Sequence, residues 1–140
     1  MAVLAGSPVT AAVYSALTGD ATLAGLVGAR VGDDIRQATA FPYLWLEVRE
    51  SDRSGFGAAP VLAEVELRVH CFSDYRGAKQ AQTILARVIE VLRHQTLTVA
   101  GWGACGATFY DETVPLPAED INGVRVVEVV AMFRLHVEAP

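Results

Sequence analysis

The sequence predicts an α+β fold: a mainly antiparallel four-stranded sheet, with one long helix and the N-terminal helices packed on one face. Three observations predict it. Two segments, Tyr43–Arg49 and Leu62–Phe72, alternate apolar and polar residues with the period of a half-buried strand. A third, about Tyr75–Arg93, places its apolar residues at helical spacing. The order helix, helix, strand, strand, long helix, strand, strand joins its strands by hairpins, which favours antiparallel pairing under a single helical layer.

Taken in order, the chain opens with a helix. Ser7 is its expected N-cap and Pro8 suits the first turn, where a missing N–H costs nothing. Val9, Val13, Ala16 and Leu17 form its apolar stripe, and Gly19 stops it. Asp20 is the expected cap of a second, short helix with Leu23, Leu26 and Val27 facing inward and Gly28 at its end. Phe41-Pro42 punctuates the chain before the first strand, whose Leu44, Leu46 and Val48 share one face while Tyr43, Trp45, Glu47 and Arg49 share the other. Glu50–Pro60, rich in Ser, Gly, Asp and Ala, reads as a long hairpin loop.

In the next strand Ala63, Val65, Leu67, Val69 and Cys71 point inward, and Glu64, Glu66, Arg68 and His70 outward. The main helix, with Ser73 or Asp74 as expected cap, gathers its apolar residues in an arc of roughly 160°, wide enough to pack on a sheet. Strands at about Gly103–Glu112 and Gly123–Glu138 follow, joined by a Pro115–Asn122 loop.

Composition narrows the function classes. The 140 residues fit one domain, 1–140, without a disulfide or metal staple. Eleven Lys+Arg against sixteen Asp+Glu give a net charge of −5. The cations are spread along the chain and do not form the cluster that binding to nucleic-acid phosphates needs. No apolar run is long enough for a transmembrane helix, and Met1–Pro8 lacks the basic region of a secretory signal. Cys71 and Cys105 are expected to be buried thiols in a reducing compartment. The apolar share, 52%, is high and the charged share, 19%, is low, which suggests surface buried in an oligomer.

No catalytic constellation emerges. His70 and Cys71 are adjacent on a strand and so face opposite sides. The three histidines, His70, His94 and His136, have no metal-ligand spacing. Glu64 and Glu66 share a face roughly 6.5–7 Å apart, but on an exposed strand such a pair is expected to be solvated or matched by Arg68. Gly101-Trp102-Gly103 and Gly106 lack phosphate-loop spacing. The acidic pairs Asp33-Asp34 and Glu119-Asp120 are expected in loops, without the further ligands of a calcium site. The informative surface is the outward sheet face, where Tyr43, Trp45, Phe72, Val130 and Met132 mix with Arg68, Arg134 and His136. Aromatic, Met and Arg enrichment of this kind marks subunit contacts.

Several segments resemble a known family. They are Val13-Tyr14, Leu17-Thr18-Gly19-Asp20, Leu23 and Leu26-Val27-Gly28-Ala29-Arg30-Val31; then Phe41-Pro42-Tyr43-Leu44; then the strand Val65 to Ser73 running into the Ala-rich helix; and last Phe133-Arg134. In this order and spacing the chain resembles the tail completion (tail terminator, head–tail joining) proteins of tailed bacteriophages.

The resemblance implies a small α+β virion protein, without enzymatic activity, cofactor or metal. It implies a hexameric ring at the head-proximal end of the tail tube, which ends tube polymerisation and docks the head connector while DNA passes through the lumen. The partners implied are other copies of the chain, the major tail tube protein and the connector; the location is the virion neck, after assembly in the host cytoplasm. Candidate subunit-contact residues are Tyr43, Trp45, Arg53, Phe56, Arg68, Met132 and Arg134, with Arg53 and Phe56 on a loop that could reach a neighbour. Candidate acidic lumen residues are Glu64, Glu66, Asp33, Asp34, Glu119 and Asp120. The competing readings are another neck or minor tail protein, and a dimeric α+β domain with an enclosed small-molecule pocket.

Overall fold

The computed structural model describes residues 5–33, 40–52, 62–102, 106–121 and 123–138. Three helices, α1 (Gly6–Thr18), α2 (Ala21–Val27) and α3 (Lys79–Leu92), pack against a sheet of β1 (Val31–Gly32), β2 (Tyr43–Asp52), β3 (Leu62–Ser73), β4 (Phe109–Pro115), β5 (Glu119–Ile121) and β6 (Val124–Glu138). The sheet has six strands in the order β1-β2-β3-β6-β4, with β5 also paired to β6. β1 runs parallel to β2 and the other pairings are antiparallel, so the sheet is mixed though mainly antiparallel, and it has two strands more than the four expected. The extra two are short. β1 has two residues, too few for any periodicity, and β5 occupies the segment expected to be a loop. β2 runs on to Asp52 and β4 starts only at Phe109.

α1 buries Val9, Val13 and Leu17, as its stripe predicts. Its cap does not follow the prediction: the N-cap residue is Ala5, with no side-chain bond of its own, and Ser7 lies inside the first turn. The orphan N–H groups of a helix start take whatever acceptor is nearest. Here Glu50 of β2 supplies it, accepting from Ala5 N at 2.8 Å and Gly6 N at 3.3 Å. α2 follows the expected pattern. Asp20 Oδ2 accepts from Leu23 N at 3.0 Å, and Gly28 closes the helix at φ 61°, ψ −133°, a conformation that favours glycine.

α3 starts four residues after the expected Tyr75, with Ala78 at its N-cap and no side-chain cap, so neither Ser73 nor Asp74 caps it. Ser73 instead ends β3. Its buried hydroxyl accepts from Tyr75 N at 3.1 Å and bonds the Gln80 side chain, fixing the β3–α3 connection. α3 buries Ala81, Ile84, Leu85, Val88 and Leu92 on the sheet.

The core lies between the helices and the inner sheet face. Val65, Leu67, Val69 and Cys71 of β3 meet Val129, Ala131, Phe133, Leu135 and Val137 of β6 there, all fully buried. Tyr110 of β4 packs edge-on to Phe133, ring centroids 5.7 Å apart. Burial pushes the Cys71 thiol up to about 12, the opposite of what an activated nucleophile needs. Among the described residues no helix is long and apolar enough to cross a membrane, and no group of three or more His, Cys, Asp or Glu is placed to hold a metal ion.

Candidate assembly surfaces

Strand register arranges the outer face in cross-strand rows. Tyr43, Phe72 and Glu128 form the first; Trp45, His70, Val130 and Val114 the second; Glu47, Arg68, Met132 and Glu112 the third; Arg49, Glu66, Arg134 and Phe109 the fourth; Glu64 and His136 the fifth. The alternation that predicts this face holds on β2, β3 and β6. On β4 it breaks at a bulge: Tyr110 pairs with Phe133 and Glu112 with Met132, leaving Asp111 as the extra residue.

The upper rows form an aromatic and polar knot. The Tyr43 and Phe72 rings stack at 4.8 Å, and the Trp45 ring lies 4.3 Å from the His70 imidazole. The Trp45 indole N–H donates to the Asp33 carbonyl at 3.1 Å, which ties the knot to the β1 edge. His70 Nδ1 lies 2.6 Å from Glu128 Oε2 and donates to it. On the ring's other side Nε2 stands 3.6 Å from Glu47 Oε1, and neither atom has a hydrogen-bond partner. Burial, with Glu128 nearby, raises the Tyr43 phenol above its ordinary value. Phe72 is 9%, His70 7% and Val130 3% exposed, so this chain already covers much of the apolar matter expected to lie open on the outer face.

The lower rows are a lattice of opposite charges. Arg68 Nε donates to Glu66 Oε1 at 2.9 Å, and its Nη1 lies 3.7 Å from Glu47. Arg134 Nε donates to both Asp111 oxygens, at 3.1 and 3.0 Å, and this bond holds its guanidinium above the ordinary range. His136 Nε2 lies 3.6 Å from Glu64.

Five predicted contact residues, Tyr43, Trp45, Arg68, Met132 and Arg134, therefore share one face, while Arg53 and Phe56 lie outside the described residues. The acidic candidates are dispersed within one copy. Glu64 and Glu66 sit on the outer face, Asp33 follows β1 at one edge, and Glu119 and Asp120 lie on β5 beyond β6; Asp34 is outside the described residues.

Sequence reasoning missed the residues that are most open. Among the described residues the exposed large apolar side chains are Tyr14, Tyr75, Phe109, Leu116 and Val124. For Tyr14 the signal was available, because it lies one position off the buried Val9, Val13 and Leu17 stripe. Phe109 needed the bulge to be known. Tyr14 lines an open cleft of about 350 Å³ between α1 and the β1–β2 edge, with Thr10, Gly32 and Leu46.

The fold is shared with a chain from the virion of a native gene transfer agent particle: TM-score 0.76, 23% identity, covering 93% of this chain and 94% of that one. A search of the curated proteins finds no match. The family model described as tail completion protein gp17 matches residues 11–130. The chain belongs to that family, and it is a structural protein of the bacteriophage tail.

Proposed function

We propose that the chain forms a hexameric ring at the head-proximal end of the tail tube, stops tube polymerisation there and offers a docking face to the head connector. The family match over residues 11–130 carries this reading. The fold is consistent with it, because a closed ring needs two different surfaces per subunit and the sheet has two unlike edges, β1 and β4. The outer-face residues Tyr43, Trp45, Arg68, Met132 and Arg134, with Arg53 and Phe56 of the β2–β3 connection, are proposed to meet neighbouring subunits, the tube or the connector. The role is structural and needs no catalytic group or cofactor.

DNA passes through the lumen without being held. With a net charge of −5, carboxylates such as Glu64, Glu66, Asp33, Asp34, Glu119 and Asp120 would repel phosphate wherever the ring turns them inward. Mass photometry of the protein, alone and with tail tube protein, tests the ring; the expected species is six copies. Tube length in the presence of the protein tests termination; capped tubes stop growing. A protein that stays monomeric with the tube and leaves its growth unchanged overturns the reading.

A further inference from the structure

We propose that the ring seam joins the β4 flank of one copy to the α1–β1 flank of the next, with Arg49 of one subunit set against Phe109 and Glu112 of its neighbour. The inference rests on the ring reading and specifies its contact. Strand order puts β1 and β4 at opposite edges of the sheet, roughly 19 Å apart at ordinary strand spacing. Groups on the two flanks are therefore too far apart to meet within one copy, and a contact between them is head-to-tail, the kind that closes rings.

The flanks complement each other on the outer face. Phe109 is 50% exposed and pairs across the ladder with Arg134, whose charge Asp111 already takes. Glu112 is the next outward residue of β4, is exposed and has no ion pair among the described residues. Near the other edge Arg49 lies on β2, beyond the two residues that β1 pairs; it is exposed and has no ion pair among the described residues, and Glu66 opposite it is bonded to Arg68. Arg49 and Phe109 occupy the same cross-strand row, so copies set edge to edge in register bring the guanidinium to the neighbour's ring and carboxylate. That place offers a cation–π contact and an ion pair together.

The inner side of the seam fits as well. The exposed positions of α1, namely Ser7, Ala11, Tyr14 and Ser15, carry no charge, and Tyr14 is 42% exposed at the cleft. Asp33 is the one charged residue lining that cleft; the α1 surface beside it, uncharged with one open aromatic, has the composition of an interface centre.

The test is a charge swap read by mass photometry under conditions where the wild type forms its ring. Arg49→Glu and Glu112→Arg are each expected to abolish the ring species, and the double variant to restore it. A ring that survives both single reversals, or a double variant that fails to recover, overturns the seam while leaving the ring standing. A wild type that forms no ring, with or without tube, overturns the ring reading and the seam with it. Disulfide trapping supplies a readout that survives poor folding of the reversals. Arg49→Cys and Phe109→Cys proteins, each in a Cys105→Ser background, are assembled together and oxidised. A cross-linked pair that appears only in the mixture is expected, and its absence overturns the seam.

Discussion

Asp20 performs two tasks with one carboxylate. Its Oδ2 caps α2, and both oxygens meet the Arg87 fork of α3, with Oδ1 at 2.7 Å from Nη2 and Oδ2 at 2.9 Å from Nε. Arg87, followed by the Leu23 N–H, holds the carboxyl at about 2, below its ordinary 3.8. The ionised form is thus favoured in the folded chain. The stabilisation is complete above 3.8 and is lost as the pH falls through about 2. Asp20→Asn is expected to lower the thermal midpoint at neutral pH and to flatten the acid limb of stability in that window. Melts of both proteins across the window check it; an unchanged acid limb would refute the assignment.

Among elements, Glu50 shows how a helix can be completed by a strand. Its carboxylate accepts the first N–H groups of α1 from a position 44 and 45 residues away, so the end of β2 and the start of α1 are set together. Glu50→Ala is expected to cost about 1 kcal/mol, as lost helix caps do, read in urea unfolding, while Ser7→Ala leaves stability nearly unchanged. The contrast explains how far the sequence could be read. Asp20 was legible because its cap is local. Likewise β2, β3 and β6 were legible because period 2 needs only neighbouring residues, and that period also gave the outer face. The α1 cap was not legible, since Ser7 mimics the local signal and the acceptor comes from a distant strand. β1 was hidden by its length and its parallel partner. β5 had a signal in Asn122-Gly123, the dipeptide that favours tight hairpin turns, with Gly123 at φ 80°. Which outer-face residues stay open was beyond pattern alone, because Phe72 and Val130 are covered by neighbours brought together only by the register.

At the scale of the whole molecule, the apolar excess divides differently from the first expectation. Much of the outer-face apolar matter is closed within the chain, and the open apolar side chains include Tyr14 on α1, at the helix side near one sheet edge, and Phe109 on the outer face at the other. The charges are largely matched in pairs across the lower rows, and the described residues of this acidic chain form no basic stripe. Such a surface has few cations with which to release the counterions of DNA. The purified protein is therefore expected not to retard duplex DNA in a gel shift, even at low salt. Retention that weakens steeply with added salt would contradict a lumen that lets DNA slide.

The Asp111 bulge carries a consequence for editing the chain. Removing one residue from the middle of a strand ordinarily turns everything upstream inside out. In β4 the reverse holds, because Tyr110 and Glu112 already face consecutive partners, Phe133 and Met132, and Asp111 is the residue without a place in the ladder. Deleting it would splice the strand into a regular ladder and keep Tyr110 in the core and Phe109 outside. A folded deletion variant with native near-ultraviolet circular dichroism is expected, whereas deleting Thr113 should scramble the faces and the spectrum. What the extra residue adds is the carboxylate beside Arg134, so this strand holds a spare letter whose loss would alter a charge and leave the frame intact.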